Sequence, residues 1–189
     1  MDEKEIEIKL QLDSSDYDRL VNMLEDIAVF IGENHQVDVY YSPKTESFYN
    51  RGDRCLRIRT EDDKSRLSYK RIYSENTSEQ FIEEYETNIG DSQIVDRILR
   101  ALEYESEIIV DKRRREYFID TGFMIALDNV LNLGFFIEIE NRNESDPLEI
   151  RNQCLIEFVQ QLKLDVSRRN TEGYSNMLFR MNLESGDDE

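Results

Sequence analysis

Glu5-Ile6-Glu7-Ile8-Lys9-Leu10 is the stretch on which the fold turns. Three charged side chains, Glu5, Glu7 and Lys9, alternate with three apolar ones, Ile6, Ile8 and Leu10. A β-strand sends successive side chains to opposite faces, so this segment is a ribbon with one wet and one greasy side. One such strand is ordinary in an antiparallel sheet with a solvated face. What matters is whether the rest of the chain repeats it.

The pattern does repeat. Charged residues spaced i, i+2 recur at Arg57/Arg59, Glu84/Glu86, Lys112/Arg114 and Glu138/Glu140, each among alternating apolar neighbours. The pairs are sorted by sign, with Lys9 the main exception. A solvated face gains more from mixing signs between neighbours. Like charges two apart on one face repel, and therefore need opposing partners or a ligand.

Between these strands the spacing changes. Ser14 and Ser15 precede Asp16 and Asp18, and Tyr17, Leu20, Val21, Leu24, Ile27, Ala28 and Ile31 recur at helical intervals until Gly32. A strand is expected over 36–42, a long polar loop over 42–53, and a hairpin from Cys55–Thr60 and Arg66–Arg71. Another strand spans Phe81–Thr87. Asp91 and Ser92 open a helix with Ile94, Val95, Ile98, Leu99 and Leu102 as its stripe. Strands follow at 105–119, 123–130 and 135–140. A helix begins at Asp146-Pro147, with proline at its first position, and a last one covers about 171–182. The count is eight strands and four helices, an α+β chain of one domain over 1–183. The acidic tail 184–189 is expected to be disordered.

Composition narrows the function. The formal net charge is −18, from 42 acidic and 24 basic residues. That argues against non-specific binding to nucleic acid and against docking on anionic membranes. A local basic cluster can still oppose the global sign and hold a small anion. Cys55 and Cys154 lie in apolar-patterned stretches and suit reduced thiols in a cytoplasmic protein. No apolar run is long enough to span a membrane, and the charged N-terminus is unlike a signal peptide. His35 is the one histidine, and nothing near it supports a nucleophile–histidine mechanism.

Eight antiparallel strands can close into a β-barrel that holds a small ligand. With apolar faces outward under amphipathic helices, the charged faces would line a tunnel. Guanidinium rows suit phosphate oxygens, and glutamate rows suit Mg²⁺ or Mn²⁺. An open sheet with ion-pair ladders on its wet face is the competing arrangement, and spacing alone leaves both open.

A family resemblance extends the reading. Glu5-Ile6-Glu7-Ile8-Lys9 resembles the ExExK signature of the CYTH superfamily, the triphosphate tunnel metalloenzymes. Gln36-Val37-Asp38-Val39-Tyr40-Tyr41, Leu56-Arg57-Ile58-Arg59, Ser68-Tyr69-Lys70 and Lys112-Arg113-Arg114 are similar to its later strands, in order. So are Leu127-Asp128, Leu133 to Glu140, and Tyr174 to Leu178. The resemblance implies a closed eight-stranded tunnel that binds a triphosphate with a divalent metal. By motif it assigns Glu5, Glu7, Glu138 and Glu140 to the metal, with Asp128 assisting. Lys9, Arg57, Arg59, Lys70, Lys112 and Arg114 fall to the triphosphate, and Glu84 and Glu86 to a further acidic row. Glu5, Glu7, Lys9, Lys112 and Asp128 are the catalytic set. One departure is Ala126, where many members carry histidine.

The layout is most similar to class IV adenylate cyclases, which form cyclic AMP and pyrophosphate from ATP. There the ribose 3′-hydroxyl attacks the α-phosphorus. The alternative is hydrolysis of inorganic triphosphate, a nucleoside triphosphate or thiamine triphosphate, with water attacking the terminal phosphorus. A non-catalytic polyphosphate-binding module is the third reading. Similarity to class IV cyclases also raises a homodimer.

Overall fold

A computed structural model describes residues 6–74, 80–143 and 145–186. Glu5 lies outside them. Eight antiparallel strands form one sheet: β1 (Glu7–Leu12), β2 (Val29–Pro43), β3 (Arg54–Glu61), β4 (Lys64–Ser74), β5 (Gln80–Ile89), β6 (Tyr104–Ile119), β7 (Phe123–Val130) and β8 (Gly134–Asn141). The helices are α1 (Ser14–Ile27), α2 (Phe48–Arg51), α3 (Ser92–Ala101), α4 (Leu148–Gln161) and α5 (Tyr174–Gly186). Strand order is β1-β8-β7-β6-β2-β3-β4-β5. The chain divides into two compact units, Met1–Asn34 with Lys112–Glu172, and His35–Asp111 with Gly173–Glu189.

In unit 1 the period-two patterning does what the sequence implies. Ile8, Leu10, Ile125, Leu127, Ile137 and Ile139 are buried in one apolar cluster with Leu20 and Leu24 of α1 and Leu155, Phe158 and Val159 of α4. Burial of large side chains of this kind stabilises by roughly 1.5–3 kcal/mol each. The opposite face carries Glu7, Lys9, Lys112, Arg114, Asp128, Glu138 and Glu140. In unit 2 a smaller core joins Tyr41, Ile58 and Leu99, with Val39, Leu56, Leu67 and Val95 packed against it. The charged face there is set by Asp38, Arg57, Arg59, Arg66 and Lys70, in register across β2, β3 and β4.

The expected closure is not seen among the described residues, where the strand order ends at β1 and β5. At β1 the physical reason is visible. Its outer edge is taken by the segment after α4: Leu10 bridges to Arg169, the Asn170 N–H donates to the Lys9 carbonyl at 2.8 Å, and Lys9 Nζ donates to the Glu172 carbonyl. A strand edge with its N–H and C=O groups thus engaged has less to offer a further strand.

Four local expectations change. The first helix stops at Ile27, and Ile31 and Gly32 belong to β2. The run Val29-Phe30-Ile31 is β-branched and aromatic, which suits a pleated surface better than a helix. The polar loop contains the single-turn α2, capped by the Ser47 hydroxyl, which accepts from the Tyr49 N–H at 3.2 Å. Pro147 sits one position earlier than expected, as the cap of α4. The last helix continues to Gly186, taking in the first residues assigned to the tail.

Candidate active site

Unit 1 gathers most of the sequence-derived set. Its rows follow from register: Glu7 faces Glu140, Lys9 faces Glu138, and Arg114 faces Asp128. Glu7, Glu116, Glu138 and Glu140, with Arg114 and Arg142, line a pocket of about 110 Å³, floored by Met124, Ile125 and Ala126. Ala126 lies between Glu116 and Glu138 as the cross-strand neighbour of both. A histidine there would fill space the pocket uses.

Asp128 does not line the pocket. It is fully buried, and its two oxygens accept from Arg114 Nε at 2.7 Å and Nη2 at 2.6 Å. Lys112 Nζ approaches at 3.3 Å and is itself 4% exposed. Arg114 also donates to Glu138, and Arg142 Nε pairs with Glu140 Oε2 at 2.9 Å. The residue expected to assist a metal therefore sits among cations.

The pocket's donors fit a hard divalent cation by chemistry, since all four acids offer carboxylate oxygens. Among the described residues no three acidic, histidine or cysteine side chains are gathered as a ready cage. Glu138 and Glu140 pair with Arg114 and Arg142 instead.

Unit 2 holds the other bases. Asp38, 2% exposed, accepts from Arg59 Nε at 2.6 Å and Nη2 at 2.7 Å, and Arg57 Nη1 lies 3.6 Å away. Arg57 Nε donates to the Ser68 hydroxyl at 3.2 Å. Lys70 meets Glu84 at 3.6 Å, and Arg66 meets Glu86 at 3.2 Å. Glu84 and Glu86 are exposed on the edge strand β5, so this acidic row is the ion-pairing partner of β4. On the same face, Cys55 has its thiol pushed up by burial, against the pull of Arg57 and Lys70, and so stays neutral. Burial likewise raises Tyr40, with Asp38 adding to the effect.

Three functional candidates escaped the pair pattern. Glu116 continues the Lys112, Arg114 phase with opposite sign. Arg66 shares the face of Lys70. Asp38 is a lone acid with uncharged residues at i±2 on its strand. Phase was the available signal for the first two.

A family model described as CYTH domain matches residues 3–169. The chain belongs to the CYTH domain family. A Methanocaldococcus jannaschii protein named "Putative adenylate cyclase MJ0240" is 30% identical over 168 residues, spanning 88% of this chain and 92% of that one. The solved PH1819 protein of Pyrococcus horikoshii has TM-score 0.74 at 25% identity, covering 94% of this CYTH chain and 99% of its own. HpAC1 from Hippeastrum, described with a dominant triphosphatase activity, has TM-score 0.65 at 21% identity, covering 95% and 96% of the two chains; at that identity it supports the fold alone.

Proposed function

We propose that this CYTH protein is a metal-dependent triphosphate-processing enzyme with adenylate cyclase-like chemistry, converting ATP to cyclic AMP and pyrophosphate. The observation that carries the reading is the sorting of charge on one sheet face. Oxygen donors of Glu7, Glu116, Glu138 and Glu140 share a pocket with Arg114, while Lys112 lies behind it on Asp128. That is the requirement of a cation bound beside a polyanion.

Glu7, Glu138 and Glu140 are the residues that would hold Mg²⁺ or Mn²⁺, with Glu5 assigned by sequence alone. The cation supplies charge neutralisation at phosphate oxygens and lowers the pKa of a bound hydroxyl. The rest falls to the chain. In unit 1 Lys9, Lys112 and Arg114, and in unit 2 Arg57, Arg59 and Lys70, are the bases suited to phosphate oxygens, and forked guanidiniums fix orientation as well as charge. Bases on the leaving pyrophosphate stabilise the charge that develops there. Glu138 and Glu140 must exchange Arg114 and Arg142 for the cation, so metal and triphosphate binding should be coupled.

Triphosphate hydrolysis is the second reading, and the size of the pocket favours it. At about 110 Å³ the pocket is well below the ~300–1,000 Å³ of drug-sized ligand sites, and suits a cation with the end of a polyphosphate. The deciding experiment incubates the protein with ATP and Mg²⁺ or Mn²⁺ and separates the products. Cyclic AMP with pyrophosphate supports the cyclase. ADP or AMP with phosphate, or faster cleavage of inorganic triphosphate, supports the hydrolase. Tight binding without turnover overturns both and leaves a polyphosphate-binding module.

A further inference from the structure

We infer that Asp38 is a positioning residue, which holds Arg57 and Arg59 in the orientation that grips a triphosphate; the inference rests on the function proposed above. The geometry is specific. Asp38 on β2 is the direct cross-strand partner of Arg59 on β3. Its two oxygens take the Nε and Nη2 of that one guanidinium at 2.6 and 2.7 Å. Both Arg59 contacts use the same edge of the guanidinium, which leaves Nη1 outside this fork. Arg57, two residues earlier and on the same face, reaches the second oxygen at 3.6 Å.

Burial shows that this is more than a surface ion pair. The Asp38 side chain is 3% exposed, while those of Arg57 and Arg59 are 20% and 18% exposed. The carboxylate lies beneath, and the two cations partly reach the surface above it. A buried carboxylate is expensive without partners, so its retention under two arginines calls for a role.

The same construction stands in unit 1. There Asp128 on β7 is the direct partner of Arg114 on β6, with Nε and Nη2 at 2.7 and 2.6 Å, and Lys112, two residues earlier, at 3.3 Å. The acid and the forked arginine recur with the same atoms in the same roles, and a base at i−2 stands beside the second oxygen in each, a lysine in one and an arginine in the other. In both places a lone buried aspartate orders a pair of like charges that would otherwise repel. A carboxylate that only balanced charge would have no need of the directly opposed register in both units.

Sign gives the test. Asp38→Asn removes a negative charge from beneath two arginines, so simple electrostatics makes an anion bind more tightly. Positioning makes it bind less tightly, because the forks lose their orientation. The probe is inorganic triphosphate, titrated calorimetrically into the full chain with chelator present, with urea unfolding recorded for every variant. Asp38→Asn is expected to weaken binding about tenfold, the size of one charge-assisted hydrogen bond. Asp38→Glu keeps the charge but moves the carboxylate by one methylene, and is expected to fall between. Arg59→Lys keeps its charge without the fork, and the double variant Asp38→Asn/Arg59→Lys should lose little more than Arg59→Lys alone, because both act through one guanidinium. Unchanged or tighter binding by Asp38→Asn or Asp38→Glu overturns the inference, as does a double variant whose loss is the sum of the two. Failure of the unaltered protein to bind triphosphate both with chelator and with Mg²⁺ present overturns the proposed function instead, and no Asp38 variant can mimic that result.

Discussion

The two units carry the same three-residue clamp in different surroundings. In unit 1 the clamp of Asp128, Arg114 and Lys112 borders a pocket walled by Glu7, Glu116, Glu138 and Glu140. In unit 2 the clamp of Asp38, Arg59 and Arg57 borders further bases, Arg66 and Lys70, which pair with Glu61 of β3 and with Glu84 and Glu86 of the exposed edge strand. The same carboxylate–guanidinium fork thus serves two electrostatic settings. Where acids crowd the cations, a divalent metal has ligands. Where each acid is already paired with a base, a triphosphate would find grip alone. Under the function proposed above, chemistry falls to the first face and affinity to the second.

The sharpest way to break this division is to remove an acid from each face. Glu7→Ala or Glu138→Ala is expected to lower turnover at least ~100-fold with circular dichroism unchanged. Glu84→Ala or Glu86→Ala should change it no more than a few-fold. Equal losses on the two faces would erase the distinction.

Stability offers the next contrast. Asp128→Asn leaves the buried Lys112 and the half-buried Arg114 short of their counter-charge, and should cost about 3–5 kcal/mol in urea unfolding. Asp38→Asn should cost less, because both of its arginines are nearer water. The reverse order would mean that burial does not rank the two clamps.

Bases can then be compared by affinity. Lys112→Ala should weaken triphosphate binding about tenfold or more. Lys70→Ala should do so by less, since its side chain is 41% exposed. Unchanged affinity in Lys112→Ala would count against the face assigned to β6.

The smallest effects lie in the helices that cover the two sheet faces. Asp91 caps α3 by accepting from the N–H groups of Gln93 and Ile94, and Asp91→Ala should cost about 1 kcal/mol in thermal unfolding. On the same helix Asp96 has its carboxyl held below the ordinary aspartate range, first by Arg100 and further by Tyr41. A depressed folded-state value stabilises the fold above the usual aspartate pKa, and the benefit is lost as pH falls through the folded value. Asp96→Asn should flatten that acid limb of a stability–pH curve; an unaltered limb would place the titration elsewhere.

Much of this was legible in the chain. Alternation assigned the charged and apolar faces of β1, β3, β6 and β8, because a period-two pattern has one phase that buries its apolar set. The limits were equally physical. Asp38 has no charged neighbour at i±2, so nothing in a single strand distinguishes it from a solvated acid; only its register against Arg59 does. Val29-Phe30-Ile31 extended the apparent helical stripe, and β propensity decided otherwise. The covering of the β1 edge depends on Arg169 and Asn170, which no local spacing links to Leu10. Eight strands permit closure without imposing it.

That covered edge bears on the order of events during synthesis. β3, β4 and β5 pair with neighbours in sequence, through connections that close early and cheaply. β1 finds its ladder partners in β8 and in the segment around Arg169. Its hydrogen-bonding edges must therefore wait while more than a hundred later residues are made. On a ribosome, the first strand of this sheet to emerge is among the last of the eight to be paired.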